Sequence, residues 1–421
     1  MSASLPEDAL AELLERARSI GERHRERYPG DPSNRQPLHT FYVPADRFSE
    51  RTTADAGAEG LHLLETHAPD AASFETAFSI DPTVAARVRE RVVAKLRREP
   101  VEDVRVDFED GYGVRADAEE DEHATRAARS IVDAHAAGAL PRSYGLRVKS
   151  FADGLERRSV RTLDVFLTAL VELAGALPEG FVVTFPKVVA WEHVGVFVEV
   201  LERLEGALEL REGSLRFEVQ VETPQSVVDH GGTFAARRLV QAGGPRLAAM
   251  HFGVFDYTAS LGLMPWEQRL DHPANDFARR ALQVSLAGSG VRVSDGSTNV
   301  VPASDRTEDV HMAWRLHAEH VRHSLGSGFY QGWDLHPAHL VSRYAAVYGW
   351  LLPHLDAALA RIRSWREQAT TSGVLDEPAT VSSLLRYVRF AVASAAVDEA
   401  EIRSGTGLRH EDLFGDGQGD R

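Results

Sequence analysis

The strongest constraint on what this chain can fold into is a rhythm of short β-rich runs separated by longer helical stretches. The runs are 40–43 (TFYV), 104–108 (VRVDF), 144–148 (YGLRV), 181–185 (FVVTF), 216–221 (RFEVQV), 247–254 (LAAMHFGV), 291–293 (VRV) and 329–335 (FYQGWDL). Between them, segments such as 158–177, 191–205, 224–241, 272–287 and 305–324 carry helical spacing. Strand alternating with helix over about 300 residues predicts an α/β fold with a parallel sheet under covering helices, and eight strands are the number that closes a (β/α)₈ barrel. An open doubly wound sheet would carry a glycine-rich first turn, yet no GxGxxG or GxxxxGK[ST] follows any of these runs. The barrel is the expected fold.

The flanks divide the chain further. Residues 5–28 read as an amphipathic helix and "PGDPSNRQP" as a linker, so 1–36 precede a barrel expected over 37–345, with an insertion-rich stretch at 46–100. Helices at 345–370 and 377–404, interrupted by "TTSGVLDEP", suggest a helical extension or lid over 346–409. The polar, glycine-rich 410–421 reads as a frayed tail. No run approaches the roughly 18–20 apolar residues of a membrane span, and "MSASLPEDALAELLERA" lacks the basic start and apolar core of a signal peptide. A cytoplasmic protein with no membrane partner is expected.

Charge and cysteine usage narrow the chemistry. A net charge of -16 repels phosphate backbones, and no basic patch with interleaved aromatics offsets it, so nucleic acid is not an expected partner. With no cysteine, disulfides, thiolate catalysis and iron-sulfur clusters are excluded. Any metal must be held by oxygen or imidazole.

In a (β/α)₈ barrel the reacting groups come from the carboxyl ends of the strands. Here those ends carry Asp107, Glu109 and Asp110 ("VDFEDGYG"), Arg147 ("LRVKS"), Lys187 ("TFPK"), Glu222 ("VQVETPQS"), Asp256 ("FGVFDY"), Asp295 ("SDGS") and His336 ("DLHPAH"). Bland readings compete. Asp110-Gly111 and Asp295-Gly296 fit turn chemistry, which is preferred for Asp295. Asp107 and Glu109 fit a solvated acidic face as well as a site, Lys187 fits a snorkelling surface lysine, and Arg147 fits a counter-ion for the acids. His336 before Pro337 fits an ordered structural histidine, and His311, His317 and His320 fit a solvated helix face. Glu222 and Asp256 are sharper, because both finish apolar strands, where an unpaired carboxylate is costly. Two carboxylates brought together must share a proton or a cation, and a hard divalent ion is the simplest resolution.

Taken in order, "VDFED", "LRVKS", "FPK", "VQVETPQS", "HFGVFDYTASLG", "VSDG" and "GWDLHP" resemble the HpcH/HpaI aldolase and citrate lyase β-subunit superfamily, especially its CitE-like and malyl-CoA lyase branch, over roughly residues 40–345. The corresponding signatures there are D-L-E-D, R-V-N, P-K, I-E-T, F-G-x-x-D, D-G and I-H-P. The resemblance implies that Glu222 and Asp256 hold Mg²⁺, with Mn²⁺ as the alternative ion, and that Arg147 contacts the substrate carbonyl and stabilises an enolate oxygen. It further implies that Asp107, Glu109 and Asp110 order this arginine and a water beside the metal, and that Lys187, Asp110 and His336 belong to the substrate pocket. "SGVLDEP" looks like the C-terminal G-x-x-x-D-x-P segment, which makes Asp376 an acid/base delivered by the lid, with helix capping as the competing role. Assembly into trimers or hexamers is implied as well. The chain departs from the pattern at Lys149, where R-V-N has Asn, at Gly332-Trp333 in place of G-K, and in "LHTFYVP", which lacks an arginine in register.

The expected activity is a Mg²⁺-dependent carbon-carbon lyase or aldolase acting on a hydroxy acid or its CoA thioester through an enolate. A class II 4-hydroxy-2-oxo acid aldolase yielding pyruvate is the second enzyme reading, and a catalytically silent barrel used for binding or assembly is the reading of another class.

Overall fold

The computed structural model describes residues 7–32, 34–152, 154–371 and 378–414. Eight strands run parallel in the order β7-β6-β5-β4-β3-β2-β1-β8. They are β1 His39–Pro44, β2 Asp103–Asp107, β3 Ser143–Arg147, β4 Phe181–Phe185, β5 Arg216–Val221, β6 Leu247–Phe252, β7 Arg292–Ser294 and β8 Gly332–Asp334. The expected runs all return as strands, shortened where the apolar run continues into a loop. β7 and β8 meet just past their ends, where Asp295 donates its backbone N–H to Gln331 (2.8 Å) and Trp333 donates to Gly296 (3.1 Å). The sheet thereby closes as a (β/α)₈ barrel.

The strands explain the alternation seen in the sequence. Phe217, Val219 and Val221 of β5 and Val104 and Val106 of β2 face outward, fully buried under the surrounding helices. Phe217, for example, meets Phe197 edge-on at 5.4 Å. The residues in the other phase point into the barrel. Asp103, Arg105 and Asp107 of β2, and Glu218 and Gln220 of β5 with Glu222 after it, are buried there. Barrel interiors are ordinarily packed with branched aliphatics; this one is polar. Arg105 reaches across to Glu218 with two bonds of 3.2 and 3.1 Å and to Thr184 at 3.1 Å. The Trp333 indole donates to Nδ1 of His251 at 3.0 Å, which leaves the His251 Nε2–H to face Glu218 at 3.1 Å.

After α1 (Glu7–Arg27), the stretch 46–100 folds into α2 (Thr52–His67), α3 (Ala71–Phe78) and α4 (Pro82–Arg98). The next helices are α5 (Asp117–Ala136), α6 (Glu156–Ala174) and α7 (Trp191–Ala207). The helix expected over 224–241 is instead split. Thr223 and Ser226 form a capping box that starts α8 (Pro224–Val227), but the chain turns at Asp229, which accepts N–H groups from Gly231 and Thr233, before α9 (Ala236–Gly243) begins. The Asp-His-Gly-Gly stretch favours that turn over a continued helix. There follow α10 (Val254–Ser260), α11 (Ala274–Leu286), α12 (Thr307–Gly326) and α13 (Pro337–Leu351). His317 and His320 on α12 are buried, in contrast to the solvated face expected of them.

Past the barrel run α14 (Leu355–Thr371), α15 (Pro378–Ala393), α16 (Glu399–Thr406) and α17 (His410–Phe414). The extension docks on α4, through Arg91 to Asp398 and Glu401 (both 2.8 Å), and on α13, through the Tyr348 hydroxyl donating to Ser394 (2.8 Å). The first residues of the expected tail are helical, and Leu413 is buried. Among the described residues no helix is long and apolar enough to cross a membrane.

Candidate active site at the carboxyl mouth

Asp107, Arg147 and Glu222 continue the strand phase that places Arg105 and Glu218 inside the barrel, while Glu109, Asp110, Lys187 and Asp256 lie in the segments that follow the strands. On β2, Asp107 accepts two bonds from Arg147 of β3, at 2.7 Å each, and also caps the following turn through N–H donors from Glu109 and Gly111. The third guanidinium nitrogen of Arg147 lies 3.3 Å from Glu109, and the guanidinium carbon sits over the Tyr42 ring at 4.9 Å. Arg147 therefore cannot rotate without breaking charge-assisted bonds. Burial works against its charge, but Asp107 and Glu109 outweigh that and hold its pKa well above the ordinary value.

Lys187, just after β4, is the hub. Its ammonium bonds Glu109 and Asp110 (2.6 Å) and lies 3.6 Å from Asp256. Its backbone adopts φ 47°, a left-handed conformation that costs a non-glycine residue about 1–2 kcal/mol. This twist lets one residue serve two carboxylates in opposite directions, because its N–H donates to Glu222 at 2.6 Å while its side chain goes to the acids of β2. Burial lowers the lysine's pKa, yet Glu109 and Asp110 outweigh it and keep the ammonium charged.

Glu222 is 2% exposed at the end of β5. Gly253, after β6, makes room for it: a Cβ there would lie 2.4 Å from the Glu222 Cβ and 2.5 Å from Oε2. Burial, then the fields of Glu109 and Asp256, push the Glu222 carboxyl up to about 8. Asp256, in the first turn of α10, is half-buried and also raised, with burial the leading cause. Glu109 is pushed up to about 6, again first by burial, and its Oε2 has the Arg147 ion pair but no hydrogen bond among the described residues. Among the described residues, five carboxylates thus face two cations around one mouth. Surplus carboxylates at raised pKa, with oxygen as the donor, fit a hard divalent ion.

The structure thus brings together Asp107, Glu109, Asp110, Arg147, Lys187, Glu222 and Asp256. His336 is not joined to them by any bond or ion pair among the described residues; its Nδ1 instead accepts the N–H of Ala338 and caps α13. Asp376 lies outside the described residues. Lys149, where the motif has asparagine, is buried and donates to Phe108 (2.6 Å) and Glu120 (2.7 Å), supporting β2 from below the mouth. Tyr42 was not foreseen, although its place in the inward phase of "TFYV" was available as a signal.

A second constellation, His317, Asp334 and His339, has donor atoms within 4.8 Å of one another. It does not fit a cation. Arg343 already grips Asp334 with bonds of 2.7–3.0 Å, and both nitrogens of His339 are spent, on the Leu335 N–H and the Val300 carbonyl. Burial lowers His339 to about 3, so it stays neutral. The cluster is a buried hydrogen-bond network.

Fold and mouth together define a (β/α)₈ barrel with an acidic, arginine-backed pocket at its carboxyl end. The chain belongs to the family described as a domain of unknown function, DUF6986, whose profile matches residues 17–418. No curated protein matches the chain. Among solved structures it is similar to a citrate lyase from Burkholderia xenovorans LB400, at 16% identity and TM-score 0.57, covering 91% of this chain and 99% of that one. It also matches a malate synthase from Haloferax volcanii at 17% identity and TM-score 0.49, over 92% and 97% of the two chains. The likeness to the citrate lyase stands at the level of the barrel fold.

Proposed function

We propose that the protein is a divalent-metal-dependent carbon-carbon lyase or aldolase that acts on a small hydroxy acid or its CoA thioester. The observation that carries this reading is the surplus of carboxylates at one mouth, with Glu222 raised to about 8 beside Asp256. Glu222 and Asp256 would hold Mg²⁺, or Mn²⁺ in its place. When bound, the ion supplies positive charge to the oxygens of the acid and to the enolate that cleavage or condensation creates.

The chain's own residues do the rest. Arg147, locked by Asp107 and by the Tyr42 ring, offers a charged donor preorganised for the same developing oxyanion. Lys187 is placed to receive the carboxylate of the substrate, exchanging one of its acidic contacts for it. Glu109, poised at about 6, can carry a proton near neutrality. Asp376 remains the sequence's candidate for proton transfer from the helical extension. The 16% identity to the citrate lyase bears on the fold, so this reading rests on the mouth.

Glu222→Gln tests it. Mg²⁺ binding measured by calorimetry, and turnover of acyl-CoA and oxo-acid substrates assayed with and without Mg²⁺, are expected to disappear while the circular dichroism spectrum is retained. Full activity in the variant would refute the metal assignment.

A further inference from the structure

The opposite end of the barrel holds a cavity of ≈ 80 Å³, bordered by Arg216, Arg292, Ser143, Gln331, Asp103 and Glu218. A single water needs about 10–15 Å³ measured this way, so several waters or one small oxyanion fit. Arg216 opens β5 and Glu222 follows its end six residues on, which at about 3.3 Å per residue puts the cavity roughly 20 Å from the mouth.

The charges there are unevenly matched. Glu218 takes two bonds from Arg105 and one from Thr184 (2.5 Å), and Asp103 takes Arg105 and Thr40 (2.8 Å). Both carboxylates are therefore committed to the barrel interior. Among the described residues the acceptors of Arg292 are neutral: the Arg35 carbonyl at 3.1 Å, and the Asn34 carbonyl and side-chain oxygen, the latter at 2.7 Å. Arg216 is exposed and makes no hydrogen bond or ion pair among the described residues. Burial, then the like charge of Arg216, lowers the Arg292 guanidinium to about 10, with Asp31 acting weakly the other way. A half-buried arginine beside a second, exposed arginine, with no carboxylate in contact among the described residues, is an arrangement that an anion relieves.

We infer that this end of the barrel is a second binding site, which takes a phosphoryl-type oxyanion between Arg216 and Arg292. β6 lies between their strands, so an occupant held by both arginines bridges β5 and β7. A carboxylate, with two oxygens in one plane, satisfies a single fork; a phosphoryl group presents oxygens to both. Because Arg292 also holds Asn34, an occupant fastens the linker to the barrel floor.

The test is thermal unfolding of the full chain in inorganic phosphate, with sodium chloride at matched ionic strength as the control. A ligand that binds only the folded state raises Tm in a saturable way. Phosphate is expected to do so in the parent protein and in Glu222→Gln and to bind at least tenfold more weakly to Arg216→Gln, while acetate at the same concentration gives no shift. Arg216 is exposed and without a structural partner, so its variant folds where Arg292→Gln could fail. The inference is overturned by the absence of a saturable rise, by an equal rise in chloride or acetate, by a rise undiminished in Arg216→Gln, or by one that vanishes in Glu222→Gln and so belongs to the mouth.

Discussion

Gly253 and Glu222 share a space that leaves no room for one more methyl group. A Cβ at 253 would stand 2.4 Å from the Glu222 Cβ and 2.5 Å from its carboxylate oxygen. Gly253→Ala is expected to displace the carboxylate, destabilise the fold by about 1–3 kcal/mol and weaken Mg²⁺ binding. A thermal melt and a Mg²⁺ titration check both effects, and an unchanged titration would show that Glu222 does not need this placement. At this scale the sequence was informative about identity and silent about geometry. Glu222 and Asp256 stood out because each follows an apolar run; Glu222 directly follows β5, whereas Asp256 lies in the first turn of α10 and not at a strand end. The role of Lys187 could not be read the same way: it depends on a left-handed backbone and on carboxylates from β2, β5 and α10, which only the closed barrel brings together. For His336 the structural alternative weighed from the sequence, an ordered residue before Pro337, describes the capping contact that is found.

At the scale of elements, strand positions were legible because each run is bounded by turn chemistry and alternates with period two. The alternation also carried a signal left unread. The phase opposite Phe217, Val219 and Val221 in β5 is Arg216, Glu218, Gln220 and Glu222, and in β2 it is Asp103, Arg105 and Asp107; these line the barrel. Glu222 is thus the last member of a polar stripe. The stripe depends on its cation. Arg105→Met would leave Asp103 and Glu218 buried without it and is expected to cost about 3–5 kcal/mol in urea unfolding. A loss under about 1 kcal/mol would mean that both carboxylates are protonated or hydrated in the folded state. Helices were less legible than strands. The stretch 46–100 holds α2, α3 and α4, and the helix expected over 224–241 broke at Asp229, where the turn held by its carboxylate and the following glycines override a helical apolar spacing.

For the whole molecule, the raised Glu222 couples folding, protons and metal. Its carboxyl titrates near 4.5 when unfolded and near 8 when folded, so between those values the folded state holds the extra proton. Stability of the metal-free protein is therefore expected to fall as pH rises through that window. A divalent ion requires the carboxylate, so its affinity is expected to climb with pH up to about 8 and then level, with release of a proton on binding. Calorimetry in buffers of different ionisation enthalpy measures that proton; an affinity flat between pH 6 and 8 would contradict the placement of Glu222. The linker closes the molecule in a different sense. Gln36 donates to Val293 (2.9 Å) and Gln331 (3.0 Å), and β1 pairs with β8, across separations of up to 295 residues. Closing a flexible loop of that length costs on the order of 5 kcal/mol in chain entropy. On the ribosome, the outer edge of β1 must wait until almost the whole barrel has been synthesised before its neighbour exists. An early segment of the chain is thus among the last to be satisfied, and until then its exposed strand edge is open to the wrong partner.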